Sequence, residues 1–324
     1  MRIIAIMFVA LSLLSACSGM KQTYPLLPVA EYEKMIVGRL DADYVGNDNC
    51  VSKCHAHDKI REFYKLSVHG EQMKAETGLP LVNCESCHGP GSLAIARIEQ
   101  NQKLLGEKGN RCESTKLLDL TNLPPQAQSM ICLKCHSAAS TPALSHWNSS
   151  VHALNELSCS SCHKMHEGPQ QKVSRDKMAE LCYGCHPDVK AQFTLTSHHP
   201  IRERKMDCFD CHEAHGSKSA KMLKGSTTRD LCCRCHMEKS GPFVYEHGDV
   251  TENCMNCHLP HGSVSRRLLS SAMPFLCIQC HNPGHRGVLV TGQKQLFANR
   301  CTDCHSAIHG SNTPGSDGLG NLRR

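Results

Sequence analysis

Aromatic side chains are scarce in this sequence, with seven Phe, six Tyr and one Trp in 324 residues. Long apolar runs are also missing. Outside the extreme N terminus no stretch approaches the roughly 18 residues that a helix needs to cross a bilayer, so the rest of the chain does not span one by a helix. Only 20% of residues are charged, which disfavours ordinary charged disorder. The 40% counted as hydrophobic includes 23 cysteines, and without them about one third remains, in short runs between Gly, Pro, Ser and Asn. No phosphate-binding loop, nucleophile triad or strand-rich domain is visible. A conventional sheet-based core is therefore excluded, and the interior must be filled by something that the sequence does not encode.

What the chain does have is 23 cysteines and 22 histidines. Nine times it reads C-x-x-C-H, at Cys84-Cys87-His88, Cys132-Cys135-His136, Cys159-Cys162-His163, Cys182-Cys185-His186, Cys208-Cys211-His212, Cys232-Cys235-His236, Cys254-Cys257-His258, Cys277-Cys280-His281 and Cys301-Cys304-His305. A further motif, Cys50-Cys54-His55, has one extra residue between its cysteines. Only Cys17, Cys112 and Cys233 fall outside these motifs, and the roles of Cys112 and Cys233 stay open.

C-x-x-C-H is the attachment signature of c-type haem. The two thiols add to the two vinyl groups and form thioethers, and the adjacent imidazole then lies under the iron. The spacing is fixed because both vinyls and the iron belong to one rigid macrocycle. Zinc ribbons, redox dithiols and disulfides each account for C-x-x-C, but none requires a histidine next. The sequence therefore predicts ten covalent haem c groups. So many haems in so short a chain cannot be insulated from one another and must pack together. Their apolar faces supply the missing core, and their propionates offset the formal charge of +6, which is then no sign of nucleic-acid binding.

Twelve histidines lie outside the motifs, enough for a second axial ligand on every iron. The motifs form five two-haem units starting near 50, 132, 182, 232 and 277. Each unit has a linking histidine between its motifs: His69, His152, His199, His247 and His285. A trailing histidine follows the second motif in the later units: His166, His215, His261 and His309. These nine are the predicted distal ligands. After His88 the chain instead reads Gly89-Pro90-Gly91, so a tenth ligand would come from His57, His146 or His198, or be absent. Met165 and Met237 lie too close to their own motif histidines to reach the other haem face.

The first 16 residues read as a secretory signal, with Arg2 ahead of an apolar run. Leu14-Ser15-Ala16-Cys17 resembles the bacterial lipobox, which implies lipidation of Cys17, and Ser18 favours the outer membrane. Residues 17–44 form a linker, 45–312 the decahaem domain and 313–324 a flexible tail. The expected fold is mostly α and irregular, with short helices and loops around closely packed haems and little or no sheet. Apolar spacing predicts helices at Asp58–Leu66, Leu93–Gly106 and Asp176–Cys182, with many motifs at helix ends.

The haem count, the unit order and the phrases NCESCHGPG (83–91), WNSSVH (147–152), HLPHGS (258–263) and IHGSN (308–312) resemble the decahaem MtrA/DmsE family over about residues 45–312. The resemblance implies an electron carrier without substrate chemistry of its own. It also implies an elongated haem wire, often inside a porin-like outer-membrane barrel, with a periplasmic donor cytochrome on one side and an extracellular multihaem cytochrome or reductase on the other. The chain departs from the family in its lipobox, its stretched first motif and the missing trailing histidine. A multihaem reductase, which needs an open iron and often a Lys in place of the motif His, is a second reading. A filament-forming extracellular cytochrome is a third.

Overall fold

The structure is a computed structural model that describes residues 25–56, 58–71, 82–106, 116–166, 175–281, 300–303 and 305–313. The chain divides into two compact units, Met1–Gln170 and Gln171–Arg324. Cys17, His57, Cys112, His285 and Cys304 lie outside the described residues, as does the tail beyond 313.

In the first unit, helices Val29–Ile36 and Pro125–Leu133 pack face to face. Each opens after a proline, Pro28 and Pro124, whose fixed φ suits a helix start. Each buries an i, i+4 couple, Tyr32 with Ile36 and Ala127 with Ile131. Leu27, Met35, Leu118, Leu120, Leu123 and Met130 close around these four residues. Burial of each isoleucine contributes about 1.5–3 kcal/mol. Lys134 Nζ donates to Ile36 O at 3.2 Å and ties the end of one helix to the other. The helix Ser92–Leu105 follows Gly89-Pro90-Gly91, buries Ala94 and Ile98 on one face and ends at Gly106, where φ is 62°.

The second unit centres on Ala179, Phe193 and Ile201, packed with Tyr183, Val189 and Met206. Helices Arg175–Tyr183 and Pro187–Gln192 supply half of this cluster. The one small sheet among the described residues pairs Ser197–His198 antiparallel with Gly262–Ser263. Gly262 is required there, because a Cβ would sit 1.9 Å from Gln192 O.

The fold is thus mostly α and irregular, as the composition implies. The helices expected near 58–66, 93–106 and 176–182 run Ile60–Lys65, Ser92–Leu105 and Arg175–Tyr183. Asp58 stays outside its helix because its Oδ1 accepts the Ile60 amide at 3.0 Å, a capping role that competes with helical backbone. No helix among the described residues is long and apolar enough to cross a membrane.

Candidate haem-attachment sites

Each C-x-x-C-H motif closes a single turn. The motif histidine donates its amide to the carbonyl of the leading cysteine, at 2.9 Å for His136 and Cys132, 2.9 Å for His212 and Cys208, and 2.9 Å for His281 and Cys277. Positions i, i+3 and i+4 of a turn share one face, which is what two vinyl carbons and an iron in one plane demand. At Cys50-Cys54-His55 the extra residue is absorbed. The Cys54 amide reaches Cys50 O at 3.0 Å, and the His55 amide is shared between Cys50 O and Val51 O, both at 3.2 Å.

The turns are built in two ways. Cys132, Cys182 and Cys232 lie in the last turn of an α-helix, as expected for motifs at helix ends. Cys159, Cys208, Cys254 and Cys301 open short 3-10 turns. A cap sets up most second motifs: Asn83 Oδ1 accepts Ser86 N at 2.8 Å, Asp207 Oδ1 accepts Phe209 N at 2.8 Å, and Asn253 Oδ1 accepts Met255 N at 3.1 Å. The signal is legible in the sequence as Asn, Ser or Asp before the leading cysteine and Ser, Asp or Asn two places after it.

The leading thiols of the two motifs in a unit touch. Hydrogen bonds to Cys84, Cys159 and Cys182 push the Cys50, Cys132 and Cys208 thiols far above their ordinary range. Burial, followed by the charge of Cys254, raises Cys232 to about 12, and burial with a hydrogen bond to Cys301 raises Cys277 to about 11. The second cysteines meet the next unit instead. Cys87, Cys211 and Cys257 are raised first by burial and then by charged neighbours that include Cys135, Cys235 and Cys280 respectively. Within each structural unit the contacts therefore follow the order of the motifs. These titrations belong to free thiols and end when thioethers form.

Imidazoles face each other in the same spirit. Ring centres are 6.0 Å apart for His69 and His136, 6.1 Å for His88 and His166, 6.4 Å for His199 and His236, 6.1 Å for His212 and His261, 5.7 Å for His247 and His281, and 6.2 Å for His258 and His309. A metal–imidazole bond of about 2 Å, plus roughly 1 Å from nitrogen to ring centre on each side, sets two axial imidazoles about 6 Å apart. The gaps therefore fit an iron between the rings. Burial lowers the pKa of His69, His166, His258, His261 and His309, which favours the neutral imidazole that an iron ligand must be. Among the described residues no three or more His, Cys, Asp or Glu gather as a cage for a metal ion.

The pairing follows a rule that the spacing did not reveal. A linking histidine meets the first motif of the next unit, as His69, His199 and His247 do. A trailing histidine meets the second motif of the unit before, as His166, His261 and His309 do. The first unit has no predecessor, so the Gly89-Pro90-Gly91 turn stands where no trailing histidine is called for. His198 is not available to an iron. Its Nδ1 meets Leu195 O at 2.6 Å and its Nε2 meets Glu203 Oε1 at 3.0 Å. His146 is half-buried beside the buried Trp147. His152 lies on the turn Val151–Leu154, and His215 Nδ1 stands 3.7 Å from Glu213. His163, His186 and His305 sit on their motif turns, and Met237 is 73% exposed.

Second nitrogens are also placed. His88 Nδ1 faces Leu118 O at 3.2 Å, His212 Nδ1 faces Lys221 O at 3.0 Å, and His258 Nδ1 faces Arg267 O at 2.9 Å. His199 Nδ1 meets Pro260 O at 2.6 Å, and His261 Nδ1 meets Gln192 Oε1 at 3.2 Å. Such contacts fix ring orientation and leave Nε2 for the metal.

Two comparisons with known proteins bear on this arrangement. The doubled CXXCH motif family matches residues 152–191, 198–241 and 247–286. Each matched segment begins at or just before a linking histidine and ends beyond the first motif of the next unit. The family repeat is thus offset by one motif from the five-unit division, and it encloses the His199–His236 and His247–His281 pairs. The chain is also 35% identical over 283 residues to the multiheme cytochrome MtrA of Shewanella baltica (strain OS185), covering 83% of this chain and 79% of that protein.

Proposed function

The chain belongs to the MtrA family of multihaem c-type cytochromes, proteins of electron transfer, and we propose that it carries ten covalent haems in motif order and conducts electrons along them across the outer membrane. The observation that carries this reading is the double linkage between neighbouring motifs. Within residues 1–170 and within residues 171–324, thiol couples join consecutive motifs, and imidazole pairs such as His69 with His136 and His247 with His281 join one two-haem unit to the next. Bound haem supplies a one-electron change at iron, and the chain supplies attachment, axial nitrogens and close spacing. His69, His152, His166, His199, His215, His247, His261, His285 and His309 are the distal ligands in this reading, and His57 or His146 is a candidate for the tenth. The chain is an electron carrier and not an enzyme.

A membrane barrel follows from the polarity of the chain. Irregular backbone and charged propionates in hydrocarbon would leave polar groups unsatisfied, at several kcal/mol each. A closed porin-like barrel around the wire removes that cost, and a lipid on Cys17 holds the chain at the outer membrane. A periplasmic cytochrome delivers electrons, and an extracellular multihaem cytochrome or reductase receives them. The test is a proteoliposome with an internal reductant and an external haem protein or iron oxide. Electron delivery should require the barrel together with this chain. Equal rates without the barrel would reject the conduit and leave a peripheral shuttle.

A further inference from the structure

His55 differs from His88, His212, His236 and His258 in what its second nitrogen meets. Asp58 Oδ2 lies 2.7 Å from His55 Nδ1. The same nitrogen of His88, His212 and His258 faces a neutral backbone carbonyl. Glu238 stands 3.9 Å from His236 Nδ1, beyond hydrogen-bond reach. Asp58 is also fixed in place, because its other oxygen, Oδ1, accepts the Ile60 amide at 3.0 Å. The carboxylate is thus split, with one oxygen on the backbone and one on the ring. Its sequence signature is the run Cys54-His55-Ala56-His57-Asp58.

A histidine that binds iron through Nε2 keeps its proton on Nδ1. A carboxylate there draws that proton, makes the ring more basic and stabilises ferric over ferrous iron, and a neutral carbonyl does so less. We propose that Asp58 is a tuning residue that holds the haem at Cys50-Cys54-His55 at a lower reduction potential than the haems on His88, His212 and His258. The inference rests on the haem attachment proposed above. The thiol contacts begin at this motif, through Cys50 and Cys84. With haem bound at both motifs, an electron arriving at that end would find the neighbouring site on Cys84-Cys87-His88 at the higher potential.

The test is Asp58→Asn in the full holoprotein. Asn keeps a side-chain oxygen for the Ile60 amide and loses the charge facing the ring. Potentiometric titration followed by visible and electron paramagnetic resonance spectra should show the lowest-potential haem moving upward, with altered g-values, while the others stay in place. Intact mass should show no loss of haem, and Asp58→Glu should recover part of the wild-type potential. A titration superimposable on the wild type, or an even shift of every haem, overturns the proposal. So does loss of one haem's mass in the variant, which would assign Asp58 to assembly. The conduit reading fails or holds on the unsubstituted chain in proteoliposomes, so the two outcomes are separable.

Discussion

In the segments Cys208–Lys224 and Cys254–Ser270 the chain leaves its motif histidine and returns to it within one tight loop. In the first unit it leaves His88 and returns only after a whole helix. The two tight loops match in detail. Glu213 N and Leu259 N donate to Met222 O and Leu268 O, each at 2.7 Å. Lys224 N reaches Cys211 O at 2.9 Å, and Ser270 N reaches Cys257 O at 2.8 Å. Both loops put two non-glycine residues into left-handed backbone, Lys221 and Met222 in one and Arg267 and Leu268 in the other, with φ from 52° to 60°. That conformation costs roughly 1–2 kcal/mol per residue, and it aims a carbonyl at the motif histidine. In the first unit the helix Ser92–Leu105 intervenes before Leu118, which donates its amide to His88 O at 2.8 Å and offers its carbonyl to Nδ1. Glu85 fastens the departure point. It is 3% exposed and accepts amides from Val45 at 2.9 Å, Gly46 at 2.8 Å and Gly91 at 2.9 Å. His166, His261 and His309 each face a motif histidine of the unit before, and the first unit, which has none before it, is anchored by a buried carboxylate instead.

The largest effect should come from breaking a link between units. His247→Ala should open the iron on His281 and leave its haem attached, because the thioethers do not depend on the distal side. The expected spectrum has one haem's worth of high-spin signal that binds carbon monoxide on reduction. His198→Ala, which alters a histidine with both nitrogens engaged elsewhere, should stay wholly low-spin. A high-spin signal in the His198 variant would break the linking rule.

A smaller effect separates the first unit from the repeats. Glu85→Ala strands three backbone amides that now meet a charged acceptor, and hydrogen bonds of that kind contribute about 1.5–3 kcal/mol each. A loss of at least about 3 kcal/mol from the first structural unit is expected, read as a lower thermal midpoint and faster proteolysis between residues 25 and 166. The equivalent change in a repeat, Met255→Ala at a 37% exposed position, should cost less than about 1 kcal/mol. Equal costs would show that the first unit needs no special anchor.

The smallest effect concerns His198 and its partner Glu203. The Glu203 carboxylate raises the His198 pKa, and His198 in turn lowers that of Glu203. The raised histidine contributes stability that is fully present below its unfolded pKa of about 6.5 and is lost as pH rises through the folded value. The lowered carboxylate contributes above its unfolded value of about 4.3. Glu203→Gln should therefore lower the thermal midpoint near pH 5–6 and leave it unchanged at pH 8. Glu203 is half-exposed and solvent screens the pair, so the shift of the midpoint should be the smallest of the three effects. A change that persists at pH 8 would assign Glu203 a role other than this ion pair.

The turn geometry of the motifs was legible because it is local. Two vinyls and an iron in one plane need two thiols and an imidazole on one face of one turn, and Cys208-Cys211-His212 states that in five consecutive residues. The scarcity of strands was legible too, since a chain so poor in aromatics and apolar runs has nothing to fill a sheet-based core. The capped turns were written in Asn83, Asp207 and Asn253, in a pattern that follows from backbone hydrogen bonding and not from haem spacing. The partner of each motif histidine was decided by tertiary structure alone. His69 and His136, or His88 and His166, meet because neighbouring units pack with their second cysteines together, and no helical or strand period spans such an interval. The same holds for Glu85, whose three amides come from residues on both sides of it in the chain, and for His198, whose neighbours Leu195 and Glu203 take both nitrogens. Sequence determined where haem would be held, because covalent geometry acts over a few bonds. Packing decided which imidazole faces His88, His136, His212, His236, His258 and His281, because that contact forms only when separate turns are brought together.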